Sequence, residues 1–354
     1  MRKIILGNTG LEVTRVGFGV LPIQRVSMED AKRILIRAYE SGVNFFDTAR
    51  AYTDSEEKIG NALSDVRKNI IIATKTHAKD AKTFWEHLET SLQKLKTDYI
   101  DIYQFHNPET VPMAGDELYE VMLEAKRKGF IRHIGITNHS CENGRKAVLS
   151  GLYETLQYPF NHISSEEDHE LVMLCREKNV GFIAMKALSG GLITNAENAF
   201  CYLWQYPHVV PIWGIQRMEE LEQFIELEKN PPVLDEKRRQ LIEQDRKELS
   251  GSFCRGCGYC MPCPHGVDIP GCFSYYNDKY LMNPRSAKLE YLRNLGGLAA
   301  HPSNASLCQR CGKCEPHCPQ HIEIIKELAQ VRREMEGPLY KPMVFIARKL
   351  MKIR

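Results

Sequence analysis

Residues 69–107 read NIIIATKTHAKDAKTFWEHLETSLQKLKTDYIDIYQFHN. Asn69–Lys75 is an apolar run of strand length that closes on a lysine, and Tyr99–Phe105 is a second β-rich run closing on His106. Between them Phe84, Leu88, Leu92 and Leu95 recur at helical spacing. Two buried strands joined by one amphipathic helix form a parallel pair with a helical crossover.

The same rhythm extends in both directions. Upstream, Ser27-Met28-Glu29-Asp30 signals a helix start, and Ala31, Ile34, Leu35 and Ala38 follow on one face. Strands are expected at Val16–Val20 and Val43–Asp47. Downstream, Leu118, Val121, Met122 and Ala125 mark a helix closed by Gly129. Further strands are expected at Ile131–Ile136, Thr155–Tyr158, Val180–Met185 and Val209–Trp213. Eight strand–helix units predict an α/β fold, a closed (β/α)8 TIM barrel. Ahead of it, Lys3–Leu6 and Val13–Val16 around Gly7-Asn8-Thr9-Gly10 read as a β-hairpin. The alternative, an open doubly wound sheet, loses ground because Gly17-Phe18-Gly19 lacks the third glycine of the dinucleotide fingerprint.

Asn230-Pro231-Pro232 breaks the rhythm. The expected organisation is a barrel over 1–230, a linking helix over 231–250, a small, mainly α, cysteine-rich module over 251–330 and a basic tail over 331–354. The net charge of +2 over 354 residues argues against a nucleic-acid binder. No apolar run approaches the roughly 18 residues of a membrane span. Met1-Arg2-Lys3-Ile4-Ile5-Leu6 is too short for a secretory signal, so a cytoplasmic location is expected. Nine of the 12 cysteines fall between Cys254 and Cys318. In a chain without an export signal such a cluster points to metal ligands rather than disulfides.

Chemistry in a parallel barrel sits at the C-terminal ends of its strands. Asp47, Lys75 and His106 end the second, third and fourth strands, and Tyr52 lies just beyond Asp47. An acid, a phenol, an ammonium and an imidazole together suit carbonyl reduction. A phenol ionises near 10, a nearby ammonium favours its phenolate, and a carboxylate holds the ammonium. The histidine can hydrogen-bond the carbonyl oxygen.

These four residues lie in Phe46-Asp47-Thr48-Ala49, Ala51-Tyr52, Ala73-Thr74-Lys75 and Phe105-His106-Asn107-Pro108, behind an opening Val16-Gly17-Phe18-Gly19. Together they strongly resemble the aldo-keto reductases over residues 1 to about 228. The resemblance implies nicotinamide-dependent reduction of a small aldehyde or ketone, with Tyr52 as proton donor, Asp47 and Lys75 tuning it and His106 orienting the substrate. It also implies a dinucleotide, NADP or NAD, across the barrel mouth. Its contacts would come from Gly19, Asp47, Thr137 and Asn138 in Ile134-Gly135-Ile136-Thr137-Asn138, Gln157, and Lys186 before Ser189-Gly190-Gly191. Gly214, Gln216, Arg217 and Gln223 would follow at the last helix, with Arg217 suited to a 2′-phosphate. Glu222-Gln223 departs from the acidic–Asn pair of many members, which leaves NADP against NAD open.

Cys308-x2-Cys311-x2-Cys314-x3-Cys318-Pro319 is the bacterial ferredoxin ligand run. Cys254-x2-Cys257-x2-Cys260-x2-Cys263-Pro264 matches it with one residue fewer before the last cysteine. The pair resembles a two-[4Fe–4S] ferredoxin, in which the fourth cysteine of each run serves the other cluster. That implies Cys254, Cys257, Cys260 and Cys318 for one cluster and Cys308, Cys311, Cys314 and Cys263 for the other. Zinc on the same thiolates is the alternative. Cys272 is left over as a packing thiol.

The expected protein is therefore a reductase barrel fused to a ferredoxin-like module, with a redox partner near that module and a flavin as further candidates. Its rivals are an electron-transfer subunit acting with a flavin or partner, and a nucleotide-binding redox sensor.

Overall fold

The computed structural model describes residues 1–191, 193–249, 254, 260–281, 284–299, 301–318, 322–338, 340, 342, 344 and 348. The expected ligand Cys257, the proline after Cys318 and half of the basic tail lie outside the described residues. The chain divides into two compact units, residues 1–189 with 195–239, and residues 190–194 with 240–354.

In the first unit, β1 (Lys3–Ile5) and β2 (Glu12–Thr14) form an antiparallel hairpin. Eight parallel strands follow: β3 (Gly17–Gly19), β4 (Phe45–Asp47), β5 (Ile71–Thr76), β6 (Ile100–His106), β7 (Ile131–Thr137), β8 (Thr155–Pro159), β9 (Gly181–Met185) and β10 (Val209–Gly214). Each pairs with its sequence neighbour, and β10 pairs back onto β3 through Ile212↔Gly17, so the sheet closes into a barrel. The open-sheet alternative is excluded.

The crossovers are α1 (Met28–Glu40), α2 (Ser55–Leu63), α3 (Ala81–Leu95), α4 (Glu117–Arg127), α5 (Cys141–Ser150), α6 (Glu166–Glu177) and α7 (Ala196–Trp204), with α8 (Met218–Lys229) after the last strand. The Ser27 side chain accepts from Asp30 N and caps α1, whose buried face is Ala31, Ile34, Leu35 and Ala38 as the spacing predicts. In α4 the buried face is Tyr119, Met122 and Ala125, whereas Leu118 and Val121 are only half-buried. Tyr119 takes the inner position because its hydroxyl donates to Leu152 O at 2.8 Å while its ring packs. Leu92 of α3 is likewise half-buried, and Ser91 lies inside.

The hairpin packs on the barrel interior. Leu6 and Val13 pack with Phe45, Ala73, Ile102 and Val210. Gly7 makes this close approach feasible. Its φ is +54°, and a Cβ there would fall 2.2 Å from Gly181 N.

In the second unit the described secondary structure is helical: the C-terminal part of α9 (Glu236–Leu249), then α10 (Ile269–Leu281), α11 (Pro284–Asn294) and α12 (Ile324–Val331), which runs on into a wider turn over Arg332–Glu336. Its core includes Val267, Phe273, Tyr291, Leu328 and Met335. The Tyr291 hydroxyl donates to Glu336 Oε1 at 2.8 Å and accepts from Ala305 N at 2.9 Å. The Glu336 carboxylate also accepts from Ser306 N, so the chain entering the second cysteine run is pinned from inside.

Candidate active site

Barrel register brings the expected residues to one end. Asp47 closes β4, Lys75 lies in β5 and His106 closes β6. His106 pairs in register with Thr137, and Thr137 with Gln157, so the three form one row across β6, β7 and β8. Tyr52 stands in the turn after β4, its N–H donating to Ala49 O.

Lys75 is 1% exposed. Its Nζ lies 2.8 and 2.7 Å from the two Asp47 carboxylate oxygens and 2.7 Å from Thr48 O. Three acceptors around one nitrogen is the environment of an ammonium. Burial pushes the Asp47 carboxyl up and the Lys75 ammonium down, and each is opposed by the charge of the other. Lys75 Nζ stands 5.4 Å from the Tyr52 ring centroid. The His106 ring meets that of Tyr52 edge-on at 5.8 Å. Burial, then the charges of Lys75, His139 and His77, lowers His106 to about 3, so its imidazole is neutral across the ordinary pH range.

One electrostatic expectation is overturned. A neighbouring ammonium was expected to lower the Tyr52 phenol, but burial, followed by the Asp47 charge, pushes it well above its ordinary value. The Lys75 ammonium, directed at Asp47 and the Thr48 carbonyl, does not offset that burial.

The expected cofactor contacts are distributed around the same end. Gly19 and Gly214 face each other in register across the β3–β10 seam. Thr137 is buried, its hydroxyl 3.8 Å from Met185 Sδ. Asn138 ties two loops together, donating to Pro108 O and accepting from Ser140 N. Lys186 follows β9 with φ +56°, and its carbonyl accepts from Asn161 Nδ2. Gln216 N and Arg217 N both donate to Glu220 at the start of α8. The exposed Arg217 guanidinium is also ion-paired to Glu220, at 2.8 Å. Gln223 is exposed on α8, while its neighbour Glu222 is held by Arg37 of α1 at 2.6 Å.

Gln104 is a site residue that the sequence reading missed. It lies on the same face of β6 as His106, two positions earlier, and is fully buried with its amide against Gln157 and Asp47. A lone amide inside the apolar run IDIYQF was the available signal.

In the second unit, Cys318 belongs to the core, and Cys254, Cys260, Cys263, Cys308 and Cys314 pack against it. None of these cysteines is in a disulfide, and Cys311 is exposed. Burial raises Cys314, and the charges of Glu315, Cys308 and Cys263 add to the shift. The spacing and chemistry of these thiols fit an iron–sulfur cluster. Among the described residues no three side chains converge on a point where they could hold a single metal ion. Cys272 is wholly buried, its Sγ 4.0 Å from the Tyr291 hydroxyl, and it lies outside both cysteine runs.

Comparison with known proteins adds to this geometry. Residues 3–200 match the aldo/keto reductase family, and residues 253–328 match a 4Fe-4S dicluster domain. The Bacillus subtilis aldo-keto reductase YhdN is 32% identical over 219 residues, a match spanning 55% of this chain and 64% of that protein. The NADH-specific methylglyoxal reductase of Escherichia coli is 27% identical over 228 residues, spanning 55% of this chain and 69% of that protein. Among solved structures, the holo form of aldo-keto reductase AKR11C1 from Bacillus halodurans superposes with a TM-score of 0.61. It is 23% identical and covers 69% of this chain and 96% of its own, which speaks to the fold alone. No helix among the described residues is long and apolar enough to cross a membrane. With a closed barrel, four convergent polar groups at its strand ends and a family match over more than half its length, this chain belongs to the aldo/keto reductase family of oxidoreductases, and it carries a 4Fe-4S dicluster domain toward its C-terminus.

Proposed function

We propose that the barrel reduces a small aldehyde or ketone to the alcohol, with NADPH or NADH as co-substrate. The observation that carries this reading is the buried Lys75–Asp47 pair beside Tyr52 and His106. The nicotinamide supplies a hydride, two electrons together, to the carbonyl carbon. Tyr52 gives its proton to the carbonyl oxygen and recovers one from solvent. Even with its pKa raised by burial, the phenol can protonate the alkoxide formed by hydride addition, which is a far stronger base than a phenolate. The Lys75 cation near the ring stabilises the phenolate left behind, and Asp47 fixes that cation. His106, neutral, donates a hydrogen bond that orients the carbonyl. Thr137, Asn138 and Gln157 would hold the nicotinamide carboxamide, with Gly19, Lys186 and Gly214 at the mouth and Gln216, Arg217 and Gln223 toward the adenosine end. The Escherichia coli relative, an NADH-specific reductase of methylglyoxal, supports both the dinucleotide and a small carbonyl substrate. The test is consumption of NADPH and of NADH by the purified protein against a panel of small carbonyls that includes methylglyoxal. Failure to consume either dinucleotide with any of them would count against the reading.

For the second unit we propose two [4Fe–4S] clusters with exchanged fourth ligands. One would use Cys254, Cys257, Cys260 and Cys318, the other Cys308, Cys311, Cys314 and Cys263. The likeness of the two cysteine runs to a two-cluster ferredoxin supports the exchange. The working boundaries are a reductase over 1–230, a link over 231–250, the cluster module over 251–330 and a tail beyond. Hydride carries two electrons and a cluster accepts one, so a flavin, or a partner protein that bears one, would be needed to connect the two chemistries. A reducing compartment such as the cytoplasm suits the clustered thiols.

A further inference from the structure

Gln104 sits one strand repeat below His106 and points into the barrel. Its Nε2 donates to Gln157 Oε1 at 2.9 Å and lies 3.4 Å from Asp47 Oδ1. Gln157 Nε2 in turn lies 3.3 Å from Asp47 Oδ2. The three side chains form a closed ring, and none is more than 2% exposed.

The ring has a steric precondition. Gln104 pairs in register with Gly135 of β7. A Cβ on Gly135 would stand 2.9 Å from Gln104 Cγ and 2.3 Å from Thr155 Oγ1, so the glycine leaves the space that the amide crosses.

Chemistry also fixes the direction of the amides. Turned over, either glutamine would set its oxygen against the Asp47 carboxylate, so the nitrogens must face Asp47. For Gln104 the cost of that orientation is visible. Its Oε1 is buried without a hydrogen-bond partner, which a residue present only for packing would have no reason to bear.

We propose that Gln104 is a positioning residue: its amide ties Gln157 to Asp47, so that the group assigned to the nicotinamide carboxamide and the carboxylate that holds Lys75 are set as one unit. This rests on the reductase reading above. Two consequences follow from the ring. Loss of the Gln104 amide frees Gln157 to turn, which weakens dinucleotide binding. It also removes a donor from Asp47, whose carboxylate then takes a proton more readily and releases Lys75 at a higher pH.

The experiment uses the full-length protein with Gln104→Met, Gln104→Glu, Gln157→Met and the Gln104→Met/Gln157→Met double variant. NADPH or NADH affinity is read by quenching of tryptophan fluorescence, and kcat is read across pH on a carbonyl the wild type reduces. Gln104→Met is expected to weaken dinucleotide binding about fivefold and to move the acid limb of kcat up by about one pH unit. The carbonyl KM should hold. Gln104→Glu, close to glutamine in volume, adds a carboxylate beside Asp47 and should move the limb the same way, which keeps the test open if the methionine variant fails to fold. In the double cycle, Gln104→Met should add less than about twofold to the affinity already lost in Gln157→Met, because coupled residues are not additive. An acid limb that stays in place in the folded variants, or affinity losses that multiply, would overturn the proposal. Tyr52→Phe measured alongside separates the two levels. Loss of turnover there with silent Gln104 variants sinks only this inference, whereas unchanged turnover in Tyr52→Phe sinks the reductase reading and the inference with it.

Discussion

Tyr52 and His106 meet edge to face, with ring centroids 5.8 Å apart and planes at 85°. A carbonyl oxygen that approaches both rings meets a hydroxyl that can release a proton and a neutral imidazole that can donate a hydrogen bond. Tyr52→Phe keeps the ring contact and removes the proton. Turnover should fall by about two to four orders of magnitude, while dinucleotide affinity measured by fluorescence should barely change. Near wild-type turnover in this variant would contradict the assignment.

The depressed pKa of His106 gives a prediction with a definite sign. Folded, the imidazole titrates at about 3; in the unfolded chain it returns to its ordinary value of 6.5. Between those values the unfolded chain binds a proton that the folded chain refuses, so stability falls as the pH drops below 6.5. On going from pH 7 to pH 5, the wild type should lose about 1–2 kcal/mol more than His106→Gln, which has no such group. Urea denaturation of both proteins at the two pH values checks it, and parallel losses would rule it out.

The cysteine assignment predicts a brown protein when it is prepared without oxygen. Iron should approach eight per chain for two four-iron clusters, and Cys314→Ser should lose about half of it. Iron and acid-labile sulfide analysis decides the matter. Stoichiometric zinc without sulfide, under conditions that load a control ferredoxin, would restore the zinc alternative.

Communication between the two chemistries can be tested directly. Anaerobic, flavin-free protein mixed with excess NADPH or NADH should keep the visible absorption of its clusters, because hydride does not pass to a one-electron acceptor unaided. Rapid, complete bleaching without flavin or partner would show a self-contained electron-transfer enzyme instead.

Away from the mouth, Asp101 on β6 is 1% exposed and accepts from Arg67 at 2.6 Å, Arg132 at 3.2 Å and Ile72 N at 3.0 Å. Asp101→Ala strands the buried Arg67 cation. A loss of about 3–5 kcal/mol is expected, measurable by denaturant titration, with catalysis by the surviving folded fraction unchanged.

What the sequence disclosed follows from which contacts are periodic. Ala31, Ile34, Leu35 and Ala38 repeat at helical spacing, and all four are buried, because a crossover helix must turn one apolar stripe to the barrel. Asp47, Lys75 and His106 were readable because a polar group at the end of a buried strand conflicts with the run before it. Spacing fails where a side chain is both apolar and polar. Tyr119 buries its ring and satisfies its hydroxyl on Leu152, and the α4 stripe shifts phase toward it. Spacing is silent about backbone groups, so the Thr48 carbonyl on Lys75 had no sequence signature. Nor does it report how charge is shared. Burial, then the Asp47 charge, moves the Tyr52 phenol upward, and Lys75, held by Asp47 and the Thr48 carbonyl at less than 3 Å, does not offset it.

The seam that joins β10 to β3 pairs Ile212 with Gly17, 195 positions apart in the chain. During synthesis the barrel is therefore an open sheet until its last strand has left the ribosome, and both unpaired edges are templates for association with other chains. At about 5–20 residues per second, the 104 residues from Gly214 to Cys318 take on the order of 10 s to make, and the seam can form while they are being added. The cysteine runs emerge within that interval, behind a barrel that already has every strand it needs. A nascent chain halted before residue 209 lacks the strand that shuts the cylinder and should be handed to chaperones or proteases. One halted after residue 230 has the means to become a closed barrel with no cluster attached.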